Sequence, residues 1–137
     1  MIKFENRYDS YAYRMASGDV DSSVTALEEG QWVTYNSSGK LVISDGTKRS
    51  FICTASKRDG RDLISGTPVK KAAFLHGVFC LSVSNFDATK TYTEMCPLKV
   101  TTDGILTLWV SGTDSAELIV ANAVGAPTDG FLRILSK

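Results

Sequence analysis

Beyond residue 30 the chain reads as short runs of apolar and β-branched residues, cut by clusters of Gly, Asp, Asn and Ser. That period and that punctuation are those of strands joined by tight turns. QWVTY is followed by the turn NSSG, KLVIS by SDGTKRS, and FICTAS by the polar loop KRDGRDLISG. TPVKKAAFLHGVFCLSVS covers one or two strands, and the polar NFDATKTYTEM a turn or a short helix. PLKVTT, the turn TDG and ILTLWVS predict a hairpin, ELIVANAV a further apolar strand, APTDG a turn and FLRILSK the last strand. No long stretch carries an i, i+3, i+4, i+7 stripe, so the helices that a parallel α/β sheet needs as crossovers are missing. The pattern predicts an all-β domain, a small β-barrel or β-sandwich, over residues 28–137.

Residues 1–27 differ. Phe4, Tyr8, Tyr11 and Tyr13 are interleaved with Lys3, Glu5, Arg7, Asp9 and Arg14, with neither helical nor strict strand period. Two readings stand side by side. One is an extended N-terminal arm lying against a partner, since Tyr and Arg are enriched at interfaces. The other is that these aromatics pack on the domain's own core or form a first strand. Within this region SSVTALEEGQW fits either a helix-like turn, capped by Ser22 or Ser23 and ended by Gly30, or a strand.

The chain repeats itself weakly. Val33-Thr34 recurs as Val100-Thr101, Gly39 and Leu41 as Gly104 and Leu106, Gly46-Thr47 as Gly112-Thr113, and FICTA as LIVAN. Each copy is a strand, a tight turn, a strand, a loop and a buried strand. Neither copy alone covers its apolar face, so two are expected to close around one core.

Composition narrows the function. At 137 residues the chain fits one domain. Its 15 basic and 15 acidic residues balance, which speaks against nucleic-acid binding by bulk charge and against a polybasic membrane surface. The opening residues lack the apolar core of a signal peptide, and no apolar run reaches membrane-spanning length. Synthesis and folding in the cytoplasm are expected. Cys53, Cys80 and Cys96, odd in number and without a CxxC pair, read as buried free thiols.

Candidate chemistry is sparse. His76, the single histidine, lies in an apolar strand beside Gly77 and reads as structural. There is no Gly-x-Ser-x-Gly elbow, phosphate-binding glycine loop or zinc-ligand spacing, and RDGRD lacks the ligand run of a calcium loop. No enzyme activity, cofactor or metal is expected. Trp32 and Trp109 read as core residues. Lys57, Arg58 and Arg61 cluster on the polar loop, as a solvated surface or as a contact for an acidic partner.

GQWVTYNSSGKLVIS, HGVFCLSV, MCPLKVTTDGILTLW and PTDGFLRILSK together resemble the capsid decoration, or cement, proteins of tailed bacteriophages. The resemblance covers about residues 28–137. It implies a fold of the β-tulip kind and a non-catalytic virion protein on the outer surface of the head. Such a protein bridges subunits of the major capsid protein lattice, commonly as a homotrimer, with monomers and dimers also found. It needs neither nucleic acid nor membrane. An extended arm is common in the family, which makes Phe4, Arg7, Tyr8, Tyr11, Tyr13 and Arg14 capsid-contact candidates, with Lys57, Arg58 and Arg61 as loop contacts. The alternatives are another virion β-domain, such as a head-fibre base or a tail-tube component, or a ligand-binding β-barrel.

Overall fold

The computed structural model describes residues 2–4, 13–54, 58–61 and 68–136. These residues contain strands, turns and one 3₁₀ turn, Ala116–Leu118, and no α-helix. The first half supplies β2 (Tyr13–Asp19), β3 (Trp32–Tyr35), β4 (Leu41–Ile43), β5 (Phe51–Cys53), β6 (Arg58–Arg61) and β7 (Pro68–Gly77). They form one antiparallel sheet in the order β2-β7-β5-β3-β4, with β6 also on β7. The second half supplies β8 (Cys80–Val83), β9 (Pro97–Val100), β10 (Leu106–Leu108), β11 (Ala121–Ala123) and β12 (Leu132–Ser136). With β1 (Ile2–Phe4) they form the second sheet, β1-β8-β12-β11-β9-β10. Neither sheet closes on itself, so the fold is a sandwich and not a barrel.

Without β1 and β6 the two strand orders coincide, which gives the repeat a structural form. The β3–β4 hairpin pairs Tyr35 with Leu41, and the β9–β10 hairpin pairs Val100 with Leu106. In the first turn Asn36 O accepts from Gly39 N, and in the second Thr101 O accepts from Gly104 N. Gly39 and Gly104 have φ of 72° and 71°, the left-handed region where a Cβ is unfavourable. Past β2 and β8 the match continues. Val20 bridges Leu41 in parallel as Phe86 bridges Leu106. Asp21 N donates to Leu41 O as Asp87 N does to Leu106 O. Each aspartate then accepts from the amide two residues on, Ser23 N at 2.9 Å and Thr89 N at 3.0 Å.

The register corrects the sequence match in two places. Val100 corresponds to Tyr35 and not to Val33, a slip of two residues that leaves every side chain on its own face. Pairing to β3 and β9 makes Ala121 the counterpart of Phe51, so FICTA matches three residues beyond LIVAN. The cause is the longer connection before β11, where the 3₁₀ turn takes up residues expected as strand.

The larger core combines the inner face of the second sheet (Leu81, Val83, Leu98, Val100, Leu106, Ala123, Leu132, Ile134) with Trp32, Ile52 and Leu75 of the first. The other face of the first sheet holds a second cluster: Val33, Leu41, Cys53, Ala72 and Phe74 under Val20, Val24 and Leu27. The first sheet is therefore buried on both faces, and β7 shows four consecutive buried residues, Ala72–Leu75. In the second sheet β12 alternates strictly between buried and half-buried positions, whereas β8 buries all four of its residues, Cys80–Val83.

Of residues 1–27, the described ones contribute strands to both sheets and apolar cover to the core. Ile2–Phe4 pairs with β8, β2 pairs with β7 over its whole length, and Val20, Val24 and Leu27 are buried. The strand period was hidden because small residues, Ala16 and Gly18, hold the inward positions of β2. A Cβ on Gly18 would stand 2.9 Å from Tyr35 Oη and 3.0 Å from Leu41 Cδ1. Up to Gln31, SSVTALEEGQW is neither helix nor strand, but a turn-rich cover whose Val24 and Leu27 lie over the second cluster, and its last residue, Trp32, opens β3. The polar loop KRDGRDLISG contains a strand after all, because Arg58–Arg61 pairs with Pro68–Lys71. NFDATKTYTEM forms turns without a helix.

Candidate binding surface

The β4–β5 and β10–β11 connections are counterparts in the two repeats, and they meet on one side of the molecule. Thr47, Lys48 and Arg49 from the first face Glu117 and Leu118 from the second across a recess of about 290 Å³. Arg49 and Glu117 also border a cavity of about 70 Å³ that reaches Trp32, Leu75, His76, Phe79 and Ser136. Cationic groups therefore oppose a carboxylate beside a cavity of mixed polar and apolar lining.

Trp32 is 2% exposed, and its indole Nε1–H has no hydrogen-bond partner among the described residues. Such a buried donor is worth about 1–3 kcal/mol to satisfy. His76 stands in an aromatic row on β5 and β7, with ring centroids 6.3 Å from Phe51 and 6.4 Å from Phe74. The Arg49 guanidinium lies 5.7 Å over the Phe51 ring, a cation–π contact that holds it at the mouth. The Ser136 hydroxyl donates to Gly77 O at 2.6 Å and accepts from Phe79 N at 2.7 Å, so it ties β12 to the β7–β8 turn. Among the described residues, no three His, Cys, Asp or Glu side chains converge as a metal site.

Charged side chains elsewhere brace the strands. The Lys71 ammonium, 2.7 Å from Asp19, holds the Asp19 carboxyl below the usual carboxylate range, with Lys40 at 3.4 Å on its other oxygen. Lys99, 2.6 Å from Asp114, does the same there, joined by Val110 N at 2.7 Å. Burial pushes the Tyr92 hydroxyl up to about 12, aided by the Asp87 charge. Cys53 and Cys80 are buried as expected, whereas Cys96 is only half-buried. Trp109 is also half-buried, because its indole reaches out to Ser115 O at 2.9 Å instead of entering the core.

The contact residues expected from sequence are placed unevenly. Phe4 lies on edge strand β1 opposite Leu81, and Tyr13 and Arg14 open β2 opposite Gly77 and His76. Arg7, Tyr8, Tyr11 and Lys57 lie outside the described residues. Arg58 and Arg61 sit on β6 at the two ends of its pairing with β7. The recess between the two connections was not read from the sequence. Its one signal there was the unequal length of the two copies between Leu41 or Leu106 and the following apolar run. No protein-family model matches this chain, and no curated protein matches it.

Proposed function

We propose that this protein is a non-catalytic decoration module of a tailed-phage head, binding the outer surface of the capsid and bridging neighbouring major capsid protein subunits. The observation that carries the reading is the position of the Tyr- and Arg-rich sequence. It runs between β1 and β2, which are edge strands of different sheets. Arg7, Tyr8 and Tyr11 thus lie in the sequence between strands at the edges of the two sheets. Anchors of that kind, repeated over a symmetric lattice, hold a shell by multivalency even when each contact is weak. A homotrimer is the assembly that this reading carries.

The test is saturable binding to expanded and unexpanded heads. Because β2 is part of the first sheet, substitution is cleaner than truncation. The triple variant Arg7→Ala/Tyr8→Ala/Tyr11→Ala is expected to keep the native melting profile and to lose attachment to expanded heads. Unchanged attachment by the folded variant would refute the reading.

A second reading rests on the β6–β7 hairpin, which leaves the main strand order of its sheet. A strand pair outside the main strand order suits a tail-tube component, which stacks as hexameric rings. Light scattering on the purified protein separates the two: a monomer or trimer favours decoration, and a hexamer favours the tube.

A further inference from the structure

The repeat exposes a strand slot that is filled in one sheet and open in the other. In the second sheet β1 lies along the outer edge of β8, pairing Ile2 with Val83, Lys3 with Ser82 and Phe4 with Leu81. The counterpart of β8 is β2. Both pair with the last strand of their repeat, Ala16 opposite Phe74 and Leu81 opposite Ile134. Ser17 of β2 therefore corresponds to Ser82 of β8.

Hydrogen-bond parity agrees. Val20 N donates to Lys70 O at 2.7 Å, so the even-numbered residues of β2 exchange bonds with β7, and the N–H and C=O of Ser17 point away from the sheet. On the other side, Ser136 N donates to Phe79 O at 2.8 Å, which turns the N–H and C=O of Ser82 outward to Lys3. Among the described residues no strand pairs with the outer edge of β2. Met15 is 60% exposed there, and Ser17 is exposed.

We infer that the outer edge of β2 at Met15–Gly18 is a docking site for an extended segment of a partner polypeptide with the chemistry of β1, an apolar–polar–apolar strand added antiparallel. The filled slot says what the open one takes, since Ile2 packs on the larger core through the side of β8 that corresponds to Ala16 and Gly18. Here the floor is made of those smaller residues, and Tyr35 and Leu41 already cover Gly18. The apolar positions of the docking segment would therefore pack beside Ala16 and against the partly exposed Tyr35. Main-chain hydrogen bonds give such strand addition its affinity, and the alternate side chains its specificity. The inference follows from the repeat and is independent of the capsid reading.

The probe is a labelled peptide with the sequence of residues 1–8, MIKFENRY, added to the full-length protein. Saturable binding is expected, together with at least tenfold slower hydrogen exchange at the Ser17 amide and unchanged exchange at Ser82. Ser17→Pro removes the outward N–H without touching the β2–β7 ladder, a position where an edge strand tolerates proline. It is expected to cut peptide affinity at least tenfold. Protection at Ser82 in place of Ser17 would mean that the peptide only displaces β1, and the inference fails. It also fails if Ser17 is protected by protein concentration alone, since the edge is then closed by a second copy. If Ser17→Pro unfolds the protein, exchange at Ser17 in the unmodified protein decides the matter.

Discussion

Met95 occupies in the second repeat the place that Gly30 occupies in the first. Each donates its N–H across to the strand after the next connection, Gly30 to Cys53 O at 2.8 Å and Met95 to Ala123 O at 2.7 Å. Both have positive φ, 94° for Gly30 and 61° for Met95. The left-handed region costs a side-chain-bearing residue about 1–2 kcal/mol, and the greater freedom of glycine in the unfolded chain offsets part of that. Met95 is 53% exposed, so it contributes little burial. Met95→Gly is therefore expected to raise stability by about 0.5–1 kcal/mol, read as a higher urea midpoint at unchanged slope.

This equivalence marks how far the sequence could be read. The hairpin turns were legible because a left-handed position next to a β-branched run leaves Gly and Asx residues as its signature, as at Asn36–Gly39 and Thr101–Gly104. Apolar runs such as those of β5, β8 and β12 were legible for the same reason. The strand character of β2 was not, because its inward positions are Ala16 and Gly18, chosen to admit Tyr35 and Leu41 and not for hydrophobicity. Nor was β6, whose Arg-Asp-Gly-Arg composition is that of a turn and whose partner β7 makes it a strand. The recess lined by Arg49 and Glu117 depends on how two distant connections meet, which no local pattern encodes.

Gly39 and Gly104 provide a paired measurement of conformation against contact. Their φ values agree within a degree, but a Cβ on Gly39 would meet nothing within 4 Å, whereas one on Gly104 would stand 2.7 Å from Ile43 Cγ2 and 3.0 Å from Trp32 O. Gly39→Ala should cost about 1 kcal/mol, the conformational part alone. Gly104→Ala should cost about 3 kcal/mol or more, since the backbone of Trp32 cannot give way easily. Trp32 N also donates to Gly104 O at 2.9 Å, so the displaced turn would loosen the join between the sheets. Chemical denaturation of both variants checks the difference; equal costs would contradict the close approach at Gly104.

Tyr92, 2% exposed in the larger core, donates its hydroxyl to Asp87 O at 2.7 Å. With its proton affinity raised to about 12 in the fold, the neutral phenol is favoured there more than in the unfolded chain. Its contribution is complete below the unfolded value of about 10 and is lost as pH rises from there through the folded value. Tyr92→Phe is expected to lower stability by about 1 kcal/mol at neutral pH, for the lost hydrogen bond. It should also flatten the alkaline loss between roughly pH 10 and 12. A variant whose melting temperature falls as steeply with alkali as that of the unmodified protein would assign the loss to other groups.

The acid limb carries the opposite sign. Asp114 accepts from Lys99 Nζ and from Val110 N, so its carboxylate both anchors β9 and closes the turn after β10. Lys99 is the first cause of its lowered proton affinity, and the Val110 amide the second. A carboxyl depressed in the fold adds stability above its unfolded value, about 3.9, and loses it as pH falls through the folded one. Asp19, held by Lys71 and Lys40 between β2, β4 and β7, acts in the same direction. Melting temperature should therefore fall as pH drops below roughly 4, and Asp114→Asn should weaken that dependence while lowering stability at pH 7. Because the Asp114 pair is partly exposed, added salt should shrink the difference at pH 7 between the unmodified protein and Lys99→Met. The Val110 amide bond does not involve Lys99, so Lys99→Met should retain part of the acid response that Asp114→Asn removes. Identical pH profiles for the two variants would place the whole effect on the ion pair and none on the turn.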